Sequence, residues 1–169
     1  IPEGFGDLTS MTFASFEGNL LNGDLDFMCD LTERNLGTLT ADCSDRVTCN
    51  CCAGCGSGLS DVPGPTSRPT LFSSVFSNPS EISGDRRILE LLYFSTGGLQ
   101  WFEQRNWMTD VDICGWFGIS CDYPEILELN LSGNGLQGML PDELSELRSL
   151  RTLNFQDNKL TGTLPGSLG

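Results

Sequence analysis

The sequence predicts a solenoid of short strands, braced by disulfides and carrying one amphipathic helix. Three observations predict it. Apolar, asparagine, glycine and proline positions recur every 24 residues toward the end of the chain. Eight cysteines divide into a cluster of six and a separate pair. An apolar stripe at helical spacing runs through residues 84–95, and three tryptophans follow it.

The repeat is read first. Ile126 and Leu150, Leu129 and Leu153, Leu131 and Phe155, and Asn134 and Asn158 each stand 24 apart, as do Leu136 and Leu160, Gly138 and Gly162, Pro141 and Pro165, and Leu144 and Leu168. Such self-similarity marks stacked supersecondary units rather than an arbitrary glycine-rich β protein. Alternating apolar residues make a short strand with two side chains inward. The asparagine amide can hydrogen-bond backbone groups of its own turn and of the next coil, and glycine and proline steer the chain round the far side. The same frame occurs near residue 1, where Pro2, Phe5, Leu8 and Met11 match Pro141, Leu144, Leu147 and Leu150. Ala14, Phe16, Asn19, Leu21 and Gly23 continue it. A further step of 24 from Asn19 reaches Cys43, in LGTLTADC, which places a half-cystine in the asparagine slot.

The helix follows from GDRRILELLYFS, apolar at 88, 89, 91, 92 and 94. Cys114 and Cys121 form the separate pair and are expected to bond, contributing roughly 2.5 kcal/mol in the chain-entropy model. Cys29, Cys43, Cys49, Cys51, Cys52 and Cys55 admit 15 connectivities, and the sequence does not choose among them. The competing reading of CNCCAGC is an all-thiolate metal site, but no second CxxC lies elsewhere to complete one. Disulfides are expected, with no metal and no cofactor, and hence an extracellular or cell-surface setting.

Composition removes several functions. A formal charge of −14, from 23 acidic and 9 basic side chains, argues against nucleic acid and against an anionic membrane surface. No apolar run approaches the ~18 residues of a membrane span, so no membrane insertion is expected of this segment. The chain has no histidine, the usual general base for serine and cysteine nucleophiles. No nucleophile–base pair or paired-carboxylate spacing stands out, so no catalytic residue is assigned and an enzyme is not expected. IPEGFGDLTS carries no leader signature, which with the cysteines implies a leader removed or lying upstream.

The repeat slots resemble the plant-type leucine-rich repeat, LxxLxxLxLxxNxLxGxIPxxLxx. The resemblance implies a leucine-rich-repeat solenoid of the α/β type, with short parallel strands and an irregular or 3-10 convex side. CGWFGISC, with the preceding helix, resembles the plant-type N-terminal cap and its CxWxGxxC core. Trp101, Trp107 and Trp116 are then expected to cover the open end of the first repeat, the alternative being a sugar-binding cluster. Residues 29–55 resemble the cysteine-rich C-terminal cap of diatom-type tandem leucine-rich-repeat proteins. The implied organisation is two partial solenoid units with disulfide caps joined by a linker. Residues 1–55 are the C-terminal part of one solenoid with a six-cysteine cap, and 56–80 a Ser/Pro-rich linker. Residues 81–125 are a helical, tryptophan-rich N-cap, and 126–169 the first repeats of a following solenoid.

A solenoid needs about three repeats to bury a continuous core, and neither part has that many. Each part is therefore expected to present an open strand edge, completed by neighbouring copies or by further modules of a longer tandem chain. Within the linker, Leu71, Phe72, Val75 and Phe76 (in segment 71–76) are too apolar for a solvated spacer and are expected to dock on a solenoid. The exposed strand positions expected to form a concave binding face are Phe13, Ser15 and Glu17; Glu128, Asn130 and Ser132; and Thr152, Asn154 and Gln156. Asn130-Leu131-Ser132 is a glycosylation sequon.

Two functions follow. The first is a non-enzymatic structural or adhesive protein, a segment of a surface fibre or coat built by end-to-end completion of solenoids. The second is a recognition module, such as a receptor ectodomain or secreted inhibitor, binding proteins or glycans on its concave face. Ice binding, known in this family, would need a flat regular stripe of threonine or asparagine.

Overall fold

A computed structural model describes residues 10–29, 36–42, 47–53 and 84–164. Its elements, in chain order, are strands β1 (Phe13–Ser15), β2 (Asn22–Asp24), β3 (Thr38–Thr40) and β4 (Val47–Thr48), helix α1 (Gly84–Ser95), and strands β5 (Ile119–Asp122) and β6 (Glu125–Asn130). Strands β7 (Gln137–Gly138), β8 (Thr152–Asn154), β9 (Lys159–Leu160) and β10 (Thr163–Leu164) complete the set.

The periodic apolar slots become one inward-facing column per position. Ile126, Leu129, Leu131 and Leu136 are all buried, and so are Leu150, Leu153, Phe155 and Leu160. Met11, Ala14, Phe16 and Leu21 extend the same columns, followed by Leu36, Leu39 and Ala41. Four ranks therefore share one core, which meets the minimum that a stacked repeat needs. The strands of these ranks pair in parallel and β5 adds an antiparallel end, giving the order β3-β1-β8-β6-β5.

Spatial order departs from chain order. Phe13, Ala14 and Ser15 pair with Thr152, Leu153 and Asn154. The first segment thus stacks directly on the last repeat, and the strand edge of β8 that the sequence left open is covered by β1 of the same chain. Residues 10–29 and 84–164 touch along this joint, and Phe16 and Phe155 meet across it with ring centroids 6.5 Å apart.

Behind the main sheet, β7 pairs with β9, and β10, β2 and β4 form a second ribbon. The step into it needs glycine. Gly138 sits at φ 113°, and Gly162 and Gly23 hold nearly the same angle in their ranks. A Cβ on Gly138 would lie 2.3 Å from the Ser95 carbonyl oxygen. Pro141 then leads into a 3-10 turn over Asp142–Glu146.

One register differs from the sequence frame. Phe13 pairs with Thr38 and Ala14 with Leu39, so the last step is 25 residues rather than 24. The expected asparagine slot shifts away from Cys43, which lies outside the described residues. The Asp42 carboxylate takes up part of that role, accepting the Asn19 backbone N–H at 2.8 Å.

The ends are built from aromatics and disulfides. Trp101, Trp107 and Trp116 are all buried, with centroids 4.8 Å and 4.9 Å apart along the series. Each indole N–H donates to a backbone carbonyl, of Thr96, Phe117 and Val111 respectively. They are covered and satisfied, which is the end-plate arrangement rather than a sugar platform. Cys114–Cys121 closes this end. At the other, Cys29 pairs with Cys51 and Cys49 with Cys52. Cys55, and Leu71, Phe72, Val75 and Phe76, which the sequence expects to dock, lie outside the described residues.

Candidate binding face

The strand register decides which side chains share the face expected to be concave. Glu128 stands beside Thr152, Thr152 beside Phe13, and Phe13 beside Thr38. The next row runs Asn130, Asn154, Ser15 and Thr40. The residues two further on, Ser132, Gln156, Glu17 and Asp42, line the rim. Neighbouring strands lie about 4.8 Å apart, so each row presents a regular ladder of groups.

All nine residues expected on this face fall in these three rows, but they differ in access. Ser132 is exposed, while Phe13, Glu17, Glu128, Asn130, Thr152, Asn154 and Gln156 are half-buried. Ser15 is not available: only 1% of it is exposed, and the Thr40 hydroxyl donates to its Oγ at 2.8 Å. Thr38, Thr40 and Asp42 belong to the face and were not singled out in the sequence. The signal was present in the alternation of LGTLTADC, but the extra residue in the repeat obscured its register. Ser120 on β5 extends the first row past Glu128.

The face is polar with few charges. Asn130 and Asn154 turn inward on their own strands, each Oδ1 accepting the N–H two residues on, from Ser132 and Gln156. Glu128, Glu17 and Asp42 are the acidic groups in the rows, and Arg151 stands exposed at the entry to β8. The face therefore presents hydroxyls, amides, one aromatic ring and a sparse acidic pattern.

The asparagines of the turns do different work. Asn158 is buried; its Oδ1 accepts from Asn134 N (3.1 Å) and Leu136 N (2.9 Å). Its Nδ2 donates to the carbonyls of Leu131, Phe155 and Gln156. Asn19 repeats this across the joint, donating to Phe155 O and accepting from Leu160 N. Asn134 does so toward the cap, bonding the Glu103 backbone in both directions. These residues hold the ranks in register and leave the face to the strands.

Other chemistry-bearing groups cluster away from the face. A shallow cleft of about 100 Å³ is lined by Asp85, Glu125, Glu146, Arg148 and Ser149. Burial, reinforced by the nearby Glu125, pushes the Asp85 carboxyl above the ordinary aspartate range. The sulfurs of Cys29, Cys49 and Cys51 lie within 4.8 Å of one another, but all three are engaged in disulfides. Thiolate ligation would require those bonds to be reduced. Among the described residues, no helix is long and apolar enough to cross a membrane.

Residues 125–147 and 149–169 match the Leucine Rich Repeat family model. Over 62 residues the chain is 47% identical to Protein MALE DISCOVERER 1 of Arabidopsis thaliana, covering 36% of this chain and 9% of that protein. It is 46% identical over 57 residues to Receptor protein kinase WSS1 of Oryza sativa subsp. japonica, covering 32% of this chain and 6% of that one. Receptor-like protein 3 of Arabidopsis thaliana is 37% identical over 78 residues, which is 44% of this chain and 10% of that protein. The matched stretch thus spans a tenth or less of each of these relatives. No solved structure matches the chain.

Proposed function

We propose, from the premise that the chain is a leucine-rich-repeat protein of the plant type, that it is a non-enzymatic recognition module whose concave sheet binds an extended polypeptide. The observation that carries this reading is the continuous ladder Glu128–Thr152–Phe13–Thr38, flanked by the Asn130–Asn154 row and the acidic rim at Glu17 and Asp42. Concave solenoid faces are extended, rigid and built for such contacts. Phe13 supplies a planar apolar contact, and the hydroxyls and amides meet a peptide backbone. With a formal charge of −14, the chain attracts basic segments and disfavours acidic ones. The relatives named as receptors are matched in the repeats, which favours the same reading. The disulfides support an oxidising, extracellular setting.

The fibre reading rested on open strand edges, and β1 covers the β8 edge within the chain. Ice binding needs an unbroken stripe, whereas Glu128 and Phe13 interrupt one row and buried Ser15 the next. Recognition is therefore preferred.

The test is selection of basic and neutral peptides from a random displayed library against the disulfide-intact chain. Selected peptides should lose at least tenfold in affinity against Phe13→Ala or Thr152→Glu. They should keep it against Phe102→Ala, whose side chain is 79% exposed on the helical end. Peptides indifferent to the concave substitutions, or no selectable binder, would refute the assignment.

A further inference from the structure

The most unusual feature of the molecule is the joint at which β1 sits on β8. We infer that this joint is an exchange interface, at which the β1–β4 segment of one copy seats on β8 of a second copy of the chain.

The joint is formed wholly by repeat-type contacts. Its strand register, Phe13–Thr152, Ala14–Leu153 and Ser15–Asn154, has the form of the β6–β8 pairing beside it. Thr12 N and Phe13 N both donate to the Arg151 carbonyl, and Phe155 N and Asp157 N donate back to Ser15 O and Glu17 O. Asn19 makes across the joint the bonds that Asn158 makes within the continuous repeats. In the second ribbon, β10 pairs with β2 through Thr163–Asn22 and Leu164–Gly23. Met11, Ala14 and Phe16 on one side, and Leu153, Phe155 and Leu160 on the other, are all at most 1% exposed. Separating the parts would uncover that apolar surface, so each side demands a partner of the other kind.

Nothing among the described residues ties the two sides covalently at the joint. Cys29–Cys51 and Cys49–Cys52 lie on one side and Cys114–Cys121 on the other. The connection runs through residues 54–83, about 30 residues, whose fully extended reach is ~100 Å. Four ranks at about 4.8 Å span only ~20 Å. The number of connecting residues therefore does not dictate whose half fills the place, and the contest is one of concentration. Parts of one chain joined through that many residues compete at an effective concentration on the order of 1 mM. The closed chain dominates in dilute solution, and exchanged dimers form as protein approaches that concentration.

The test begins with unaltered chain. Unlabelled and 15N-labelled protein are unfolded together in guanidinium with disulfides intact, refolded at about 10 μM or about 1 mM, and read by native mass spectrometry. Dimers should rise from about two chains in a hundred to about half of all chains, and about half of those dimers should be mixed. Two single variants, Phe13→Cys and Thr152→Cys, then locate the contact. Refolded together at high concentration, they should give a disulfide-linked pair joining positions 13 and 152, which neither gives alone. Monomers at both concentrations would overturn the inference. So would mixed dimers with no 13–152 link above the single-variant controls, since association would then use another surface.

Discussion

Replacing Asn158 with alanine removes a residue that lies off the candidate face and yet should cost the chain a large share of its stability. The side chain makes five hydrogen bonds, two accepted from the backbone of Asn134 and Leu136 and three donated to Leu131, Phe155 and Gln156. Alanine leaves two buried N–H groups without partners and three carbonyls short of one donor. A buried group stripped of its partner costs about 1–3 kcal/mol. Water can reach some of these carbonyls, so the sum is about 3–4 kcal/mol, against a total stability of order 5–15 kcal/mol for a typical domain. Asn154→Ala is the control: that amide is half-buried and accepts one bond, from Gln156 N at 3.1 Å, so about 0.5 kcal/mol is expected. Urea denaturation with disulfides intact, followed by tryptophan fluorescence, measures both. With a slope of roughly 2 kcal/mol/M, the midpoint should fall by about 1.5–2 M for Asn158→Ala and about 0.25 M for Asn154→Ala. Asn158→Asp should not rescue, because a carboxylate cannot donate to the three carbonyls. Midpoints for the two alanine variants within about 0.5 M of each other would refute the assignment of inter-rank register to this amide.

Three further perturbations test other parts of the structure. Asp85 has a raised pKa, so the folded chain holds its proton over a window in which the unfolded chain has lost it, and stability falls as pH rises through that window. Asp85→Asn should therefore raise the thermal midpoint at about pH 7 and leave it unchanged near pH 3; an equal gain at both would remove the electrostatic explanation. Gly138→Ala forces a Cβ to 2.3 Å from Ser95 O at φ 113°, and should cost at least ~2 kcal/mol in the same urea assay. Gly133→Ala, at φ 61° with nothing within 4 Å of the new atom, should cost only about 1 kcal/mol. Replacing Cys114 and Cys121 together by serine opens a loop of sequence separation 7 and should lower stability by about 2.5 kcal/mol, with a loss under 1 kcal/mol contradicting a bracing role.

Much of this was legible in the chain because repeat positions announce themselves. Leu129, Leu131 and Asn134, repeated at Leu153, Phe155 and Asn158, state a strand, a turn and a step without any knowledge of the fold. The helix over 84–95 was readable from its apolar spacing, and its observed bounds are the same. Tryptophan burial was an inference about an end that needs covering, and the structure places all three indoles there. The face was legible less fully. Thr38, Thr40 and Asp42 escaped because one inserted residue shifts every later slot, and Ser15 read as exposed because its covering partner, Thr40, comes from another rank.

The period, the inward columns, the turn asparagines and the preference for disulfides are readable from the chain alone, because each is a local demand of backbone and side chain. The placing of residues 13–15 between residues 38–40 and 152–154 emerges only in the folded chain. A repeat specifies the shape of its neighbour and says nothing about where along the chain that neighbour comes from. Any strand with the right inward residues and turn amide can fill the next rank, and here Phe13–Ser15 fills it. The buried contacts of Phe16 with Phe155 and of Asn19 with Leu160, not connectivity, set the order of the solenoid.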